Sequence, residues 1–106
     1  MITYEDFRKV ELKIATIKEV RPHPNADKLY VVTVDINGVV RQVVAGIRLF
    51  YSEDALIGKQ VVVVENLTPA VIRGVESQGM ILAVSDESGT SVVSPDRRVQ
   101  DGSLVK

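Results

Sequence analysis

Hydrophobic and polar positions alternate early in the chain: Val10, Leu12 and Ile14 are interleaved with Glu11, Lys13 and Ala15. That period of two predicts a half-buried strand, and the slip in the pattern at Ala15-Thr16-Ile17 predicts a bulge. Upstream, Thr3-Tyr4-Glu5-Asp6-Phe7 predicts one or two helical turns, with Thr3 as the cap and Asp6 answering it from the third helical position. Arg21-Pro22-His23-Pro24-Asn25-Ala26-Asp27 reads as a loop, because prolines do not sit inside a strand ladder. Leu29 to Ile36 is rich in β-branched residues and predicts a strand. Asn37-Gly38 then predicts a tight hairpin turn, whose central residues both need positive φ, and Val39 to Val44 is the returning strand.

The β pattern breaks at Leu49 to Leu56. Ser52 suits a helix N-cap, Glu53 and Asp54 suit the positive end of a helix, and Gly58 suits its stop. Val61 to Glu65 predicts a strand buried on both faces, and Met80 to Ser85 another. Asp86 to Gly89 reads as a turn, Ser91 to Ser94 as a short strand, and Pro95 to Lys106 as irregular chain anchored by Val99, Leu104 and Val105. The expected class is all-β: a five-stranded OB-fold Greek-key barrel with a short helix between strands 3 and 4 and a small C-terminal extension. Another five-stranded barrel topology satisfies the pattern too. In an OB-fold the binding surface crosses strands 2 and 3 and the loops joining strands 1–2 and 4–5, here Arg21 to Lys28 and Asn66 to Gln78.

A length of 106 residues predicts a single domain over 1–106, with its core at about 8–85 and an extension at about 86–106. The chain has no cysteine, which excludes disulfides and thiolate metal sites. Its single histidine, His23, lies between two prolines and reads as a loop residue. Ser77 and Gly79 resemble part of a nucleophile elbow, but Val75 stands where that turn requires glycine. Asp27, Asp35, Asp54 and Asp86 lack metal-ligand spacing, and no phosphate-cradling glycine loop is present. No catalytic residue, metal or cofactor is therefore expected. An acidic N-terminus without an apolar segment, and no membrane-length apolar run, predict a cytoplasmic location with no membrane partner. Net charge is −1, which argues against a histone-like polycation but leaves room for cations gathered on one face.

The candidate binding chemistry is of two kinds. Lys28, Arg41, Arg48, Lys59 and Arg73 fall in or near the expected OB face, helix or rim, where they would neutralise phosphates and release counterions. Arg73 sits in a glycine-bearing loop that lets a backbone approach a ligand. Asn66, Ser77 and Gln78 carry amides and a hydroxyl suited to base edges or ribose. Aromatic residues are only 5% of the chain, so stacking is a minor contributor: Tyr30 reads as core or rim, and Phe50 and Tyr51 as docking the short helix.

Three segments resemble a known family: Phe7 to Ala15, His23-Pro24-Asn25-Ala26-Asp27-Lys28-Leu29, and Asn66-Leu67 through Arg73-Gly74-Val75-Glu76-Ser77-Gln78-Gly79-Met80. Val44 to Ile47 and Leu56 to Lys59 match as well. The family is the tRNA-binding domain of methionyl-tRNA synthetase C-termini, synthetase β subunits and free-standing tRNA-binding proteins. The resemblance implies an OB-fold that binds tRNA by shape and assists aminoacylation without performing it, beside a methionyl-tRNA synthetase catalytic chain. It also implies a homodimer formed largely through Asp86 to Lys106, with Val92, Val93, Val99, Leu104 and Val105 as its apolar content. tRNA contact carries over to Lys28, Asn66, Arg73, Ser77 and Gln78, whereas Arg41, Arg48 and Lys59 rest on the OB face alone. The alternative within the superfamily is an export-linked chaperone that binds unfolded polypeptide, which would need an apolar groove.

Overall fold

Thr3 starts α1 (Tyr4–Phe7) through the expected reciprocal cap: its Oγ1 accepts the Asp6 N–H at 3.1 Å, and Asp6 accepts the Thr3 N–H at 3.3 Å. The computed structural model describes residues 1–106, and its spine is β1 (Leu12–Pro22). The first half of β1 pairs with β4 (Gln60–Val64) and the second half with β2 (Tyr30–Ile36), both antiparallel. A register shift between Ile17 and Glu19 lies just after the slip in the alternation, and this bulge bends one strand so that it serves two neighbours. The strand runs to Pro22, further than a loop from Arg21 allowed. A proline is tolerated there because it is the last residue of the ladder.

β2 returns as β3 (Val39–Ala45) through Asn37-Gly38, with φ of +52° and +93° and the Gly38 N–H donated to Asp35 Oδ1 at 2.7 Å. Ser52 caps α2 (Glu53–Leu56), and Leu56 is completely buried in the core between the strands. Every residue of β4 is buried, as its unbroken apolar run requires. The core joins 15 residues, mostly valine and isoleucine, from β1 to β4 with Ile47, Leu56, Ile81 and Val92. No helix is long and apolar enough to cross a membrane.

The C-terminal third departs from the sequence reading. The Asn66–Gln78 loop contains a hairpin of β5 (Ala70–Ile72) and β6 (Val75–Ser77). Its turn is Arg73-Gly74, with φ of +53° and +90°. The expected strand from Met80 splits into β7 (Met80–Ile81) and β8 (Ala83–Asp86), because Leu82 donates to Val62 O at 2.9 Å while its carbonyl accepts the Val93 N–H at 3.0 Å. β8 pairs with β9 (Gly89–Val92), two residues ahead of its expected position. The main sheet has the order β3-β2-β1-β4-β7 and curls into the OB-type barrel. Its two edges meet without a ladder. Instead, Gln78 N–H donates to Gln42 O at 2.7 Å, Gln42 N–H to Gln78 Oε1 at 2.9 Å, and Val44 N–H to Ser77 Oγ at 2.9 Å. Gly79 is required beside this seam, since a Cβ there would lie 2.8 Å from Val64 O.

The extension is partly absorbed by its own chain. Gly102 N–H donates to Ile14 O at 2.7 Å and Val105 N–H to Leu12 O at 2.8 Å, so the tail lies along the free edge of β1. Val92, expected on a dimer surface, belongs to the core cluster.

Candidate nucleic-acid interface

The β1–β2 loop and the β5–β6 hairpin are stapled together. His23 is buried (3% exposed): its Nδ1 accepts the Asn25 N–H at 2.9 Å, which makes Nε2 the protonated nitrogen that donates to Ile72 O at 2.9 Å. Asn25 Nδ2 donates to Arg73 O at 3.2 Å, and Arg73 Nη2 donates back to Asn25 O at 2.9 Å. His23 is thus a structural rivet, not an incidental loop residue. Arg73 is exposed and holds a left-handed backbone, a conformation that costs a non-glycine residue about 1 kcal/mol and that the flanking bonds must sustain.

Lys28 and Arg73 line one open recess of about 560 Å³, together with Asn25, Ala26, Asp27 and Leu29. Two flexible cations on one rim face a single carboxylate, an arrangement that attracts an anion and presents donors to its oxygens. Arg48 supports this loop from beneath by donating to Ala26 O at 3.2 Å. On the outward side of the sheet, Arg21 donates to Gln42 Oε1 at 3.2 Å, and Gln42 Nε2 donates to Glu76 O at 2.8 Å, joining β1, β3 and the hairpin across the OB face.

The remaining candidates separate from this cluster. Arg41 shares the inward side of β3 with Val43 and Ala45, opposite the fully buried Val34, and its Nε is buried without a partner. It does not present its guanidinium on the OB face, because β alternation turns it toward the core. Lys59 lies beside the middle of β1, where its carbonyl accepts the Ile17 N–H at 2.9 Å. Ser77 is 4% exposed, and its hydroxyl accepts from Val44 and donates to Gly79 O at 2.9 Å, so it closes the barrel and offers no free group. Gln78 is half-buried in the same seam. Asn66 accepts the Glu11 N–H at 2.8 Å and donates to Lys9 O at 2.7 Å, tying the end of β4 to the N-terminal segment. Beside it Lys13 and Glu65 pair at 2.7 Å, and the Glu65 carboxylate raises the Lys13 pKa above its ordinary value. The aromatics contribute little surface here. Tyr30 is buried with its hydroxyl on Tyr51 O at 2.7 Å, and Tyr51 holds β9 by accepting the Val92 N–H at 3.0 Å.

A family model described as "Putative tRNA binding domain" matches residues 12–104. The chain belongs to this family. The tRNA-binding domain is 46% identical over 105 residues to a methionine–tRNA ligase of Thermococcus onnurineus, and 47% identical over 105 residues to that of Pyrococcus furiosus. Each match covers 99% of the domain but only 14% of the ligase. Among solved structures, a MetRS-related protein of Pyrococcus horikoshii superposes with a TM-score of 0.91 at 29% identity, covering 100% of the domain and 98% of that chain. The CsaA chaperone protein of Picrophilus torridus superposes with a TM-score of 0.93 at 28% identity, with both chains covered in full.

Two residues at or beside the recess escaped the sequence reading. Asn25 lay inside the motif, yet its role depends on Arg73, 48 residues away. Arg21 was assigned to a loop, but the bulge puts it on the outward side of β1, where the alternation after Val20 identifies it.

Proposed function

We propose that this domain holds tRNA by its backbone and shape, with little sequence preference, in support of aminoacylation by methionyl-tRNA synthetase, and that it performs no ligation itself. The observation that carries the reading is the shared recess of Lys28 and Arg73, with Arg21 and Gln42 on the adjoining face. Lys28, Arg73 and Arg21 take phosphates, Arg48 and Asn25 hold the loop, and the Gln78 amide lies in the adjoining seam. Each phosphate neutralised makes binding steeper in salt.

The domain works as a homodimer in the cytoplasm under this proposal. Support comes from an apolar groove of about 500 Å³ lined by Ile47, Leu67, Ile72, Met80, Ile81 and Ala83, of which Leu67 and Met80 are exposed. A second copy is the natural cover for such a groove, and Leu67→Glu, at its exposed rim, should convert the dimer to monomer in analytical ultracentrifugation. The same groove supports the chaperone reading, in which it would take unfolded polypeptide, as does the likeness to CsaA. The ligase relatives, at 38–47% identity, weigh more than a chaperone likeness at 28%. Filter binding with bulk tRNA and with a denatured protein decides between them. Retention of tRNA that declines with salt supports the first reading. Retention of the denatured protein alone replaces it with the second.

A further inference from the structure

We propose that Lys59, Arg97 and Arg98 form a second phosphate-binding site, beside the middle of β1 and apart from the Lys28–Arg73 recess beyond the strand's C-terminal end, for the same folded polynucleotide. The inference rests on the tRNA reading and joins Lys59 to Arg97 and Arg98, which no motif marked.

The site is a recess of about 230 Å³ lined by Gly58 to Gln60 and Ser94 to Arg98, with Pro95 its one apolar side chain. Its three cations face a single carboxylate, Asp96. None of the three belongs to an ion pair; the ion pairs of this chain involve only Arg8, Lys9 and Lys13. Their charge is therefore available to an external anion. The segment that carries Arg97 and Arg98 is bolted down. Gln60, 6% exposed, donates to Val99 O at 2.7 Å and accepts the Val99 N–H at 3.0 Å. Asp101 accepts from the Thr16 hydroxyl at 2.8 and 2.9 Å and from Gln60 Nε2 at 2.9 Å. Arg98 spans the junction, donating to Gly58 O at 3.3 Å and Thr16 Oγ1 at 3.4 Å. A guanidinium has five N–H donors in a planar fork, so Arg98 keeps three for phosphate oxygens while two hold it in place.

The two sites are spaced for a polymer. Lys59 is bonded to Ile17, and the first recess opens past His23, whose N–H meets Leu29 O at 3.1 Å. Six residues of strand separate those points, about 20 Å at the usual rise. Thr16 and Arg21 both lie on the outward side of β1, because Ala15, Ile17 and Val20 occupy the core. Arg21 consequently lies on the same side of β1 as Thr16, to which Arg98 is bonded, with the exposed Glu19 between them. A single nucleotide reaches one site only, whereas a folded RNA strand reaches both.

The test is a set of tRNA titrations at several salt concentrations on the wild type, Arg73→Ala and the double variant Lys59→Gln/Arg97→Gln. Arg98 is left intact because it bonds to the barrel. The double variant should keep its melting temperature, bind tRNA about tenfold more weakly at low salt, and lose about two units of salt slope. If wild type binds tRNA while the double variant matches it in affinity and slope, the second site is wrong and the first stands. If wild type retains no tRNA, both readings fall.

Discussion

Asn25 and Arg73 are bonded to each other in both directions, side chain to carbonyl each way, at 3.2 and 2.9 Å. This reciprocal pair joins two loops that are far apart in sequence and sets one wall of the recess that also holds Lys28.

Asn25→Ala removes an aligning bond but no charge. We expect tRNA affinity to fall severalfold with an unchanged salt slope, whereas Arg73→Ala should flatten the slope by about one unit. Titrations over a range of salt separate the two effects, and equal slopes in both variants would count against a phosphate role for Arg73.

Ser77→Ala leaves the Val44 N–H, at the barrel seam, without its acceptor. An unpaired buried donor costs about 1–3 kcal/mol, so the urea midpoint should drop accordingly. tRNA binding well below the transition should persist, since the hydroxyl faces the interior. A loss of binding with no loss of stability would restore Ser77 to the contact surface.

Arg41→Met tests the assignment of Arg41 to the inward side of β3. Its Nε is buried without a partner, so replacement by an apolar chain of similar length should leave stability unchanged or raise it by about 1 kcal/mol. tRNA affinity should stay within about twofold of wild type. A strong loss of affinity measured by filter binding would place the guanidinium on the RNA.

Lys13 and Glu65 pair at 2.7 Å, and the bond raises the Lys13 pKa above 10.5. A raised folded-state pKa contributes stability that is complete below the unfolded value and is lost as pH climbs through the folded one. Lys13→Met should therefore differ from wild type by a constant amount, at most about 1 kcal/mol, from pH 7 to about 10. The difference should shrink above 10.5. Denaturation at stepped pH reads it directly, and a gap that widens in alkali would contradict the sign.

The legible parts of this fold are those with local causes. Asn37-Gly38 announces its turn because both residues accept positive φ, and Thr3 with Asp6 announces a cap within one turn of chain. Arg73-Gly74 makes a turn of the same kind, with positive φ at both residues, but arginine in the left-handed region is not a turn signal, so a hairpin passed for a loop. Strands of three residues also give too few positions for a period of two to show. Arg41 was recoverable, since Val43 and Ala45 define the inward side and Arg41 shares their parity. The roles of Ser77, Gln78 and Asn66 were not. Their chemistry suits RNA and suits orphaned backbone groups equally, and only the fold reveals that Val44, Gln42 and Glu11 stand within reach. Family likeness pointed to segments, and the physical role of each residue had to come from its neighbours.

Because two side chains, not a strand ladder, complete the barrel at Gln42 and Val44, those two amide protons are guarded by rotamers. They should exchange with deuterium sooner than their neighbours in the β2–β3 ladder, where opening requires strands to part. The barrel thus has a parting line, and it runs beside the hairpin that carries Arg73.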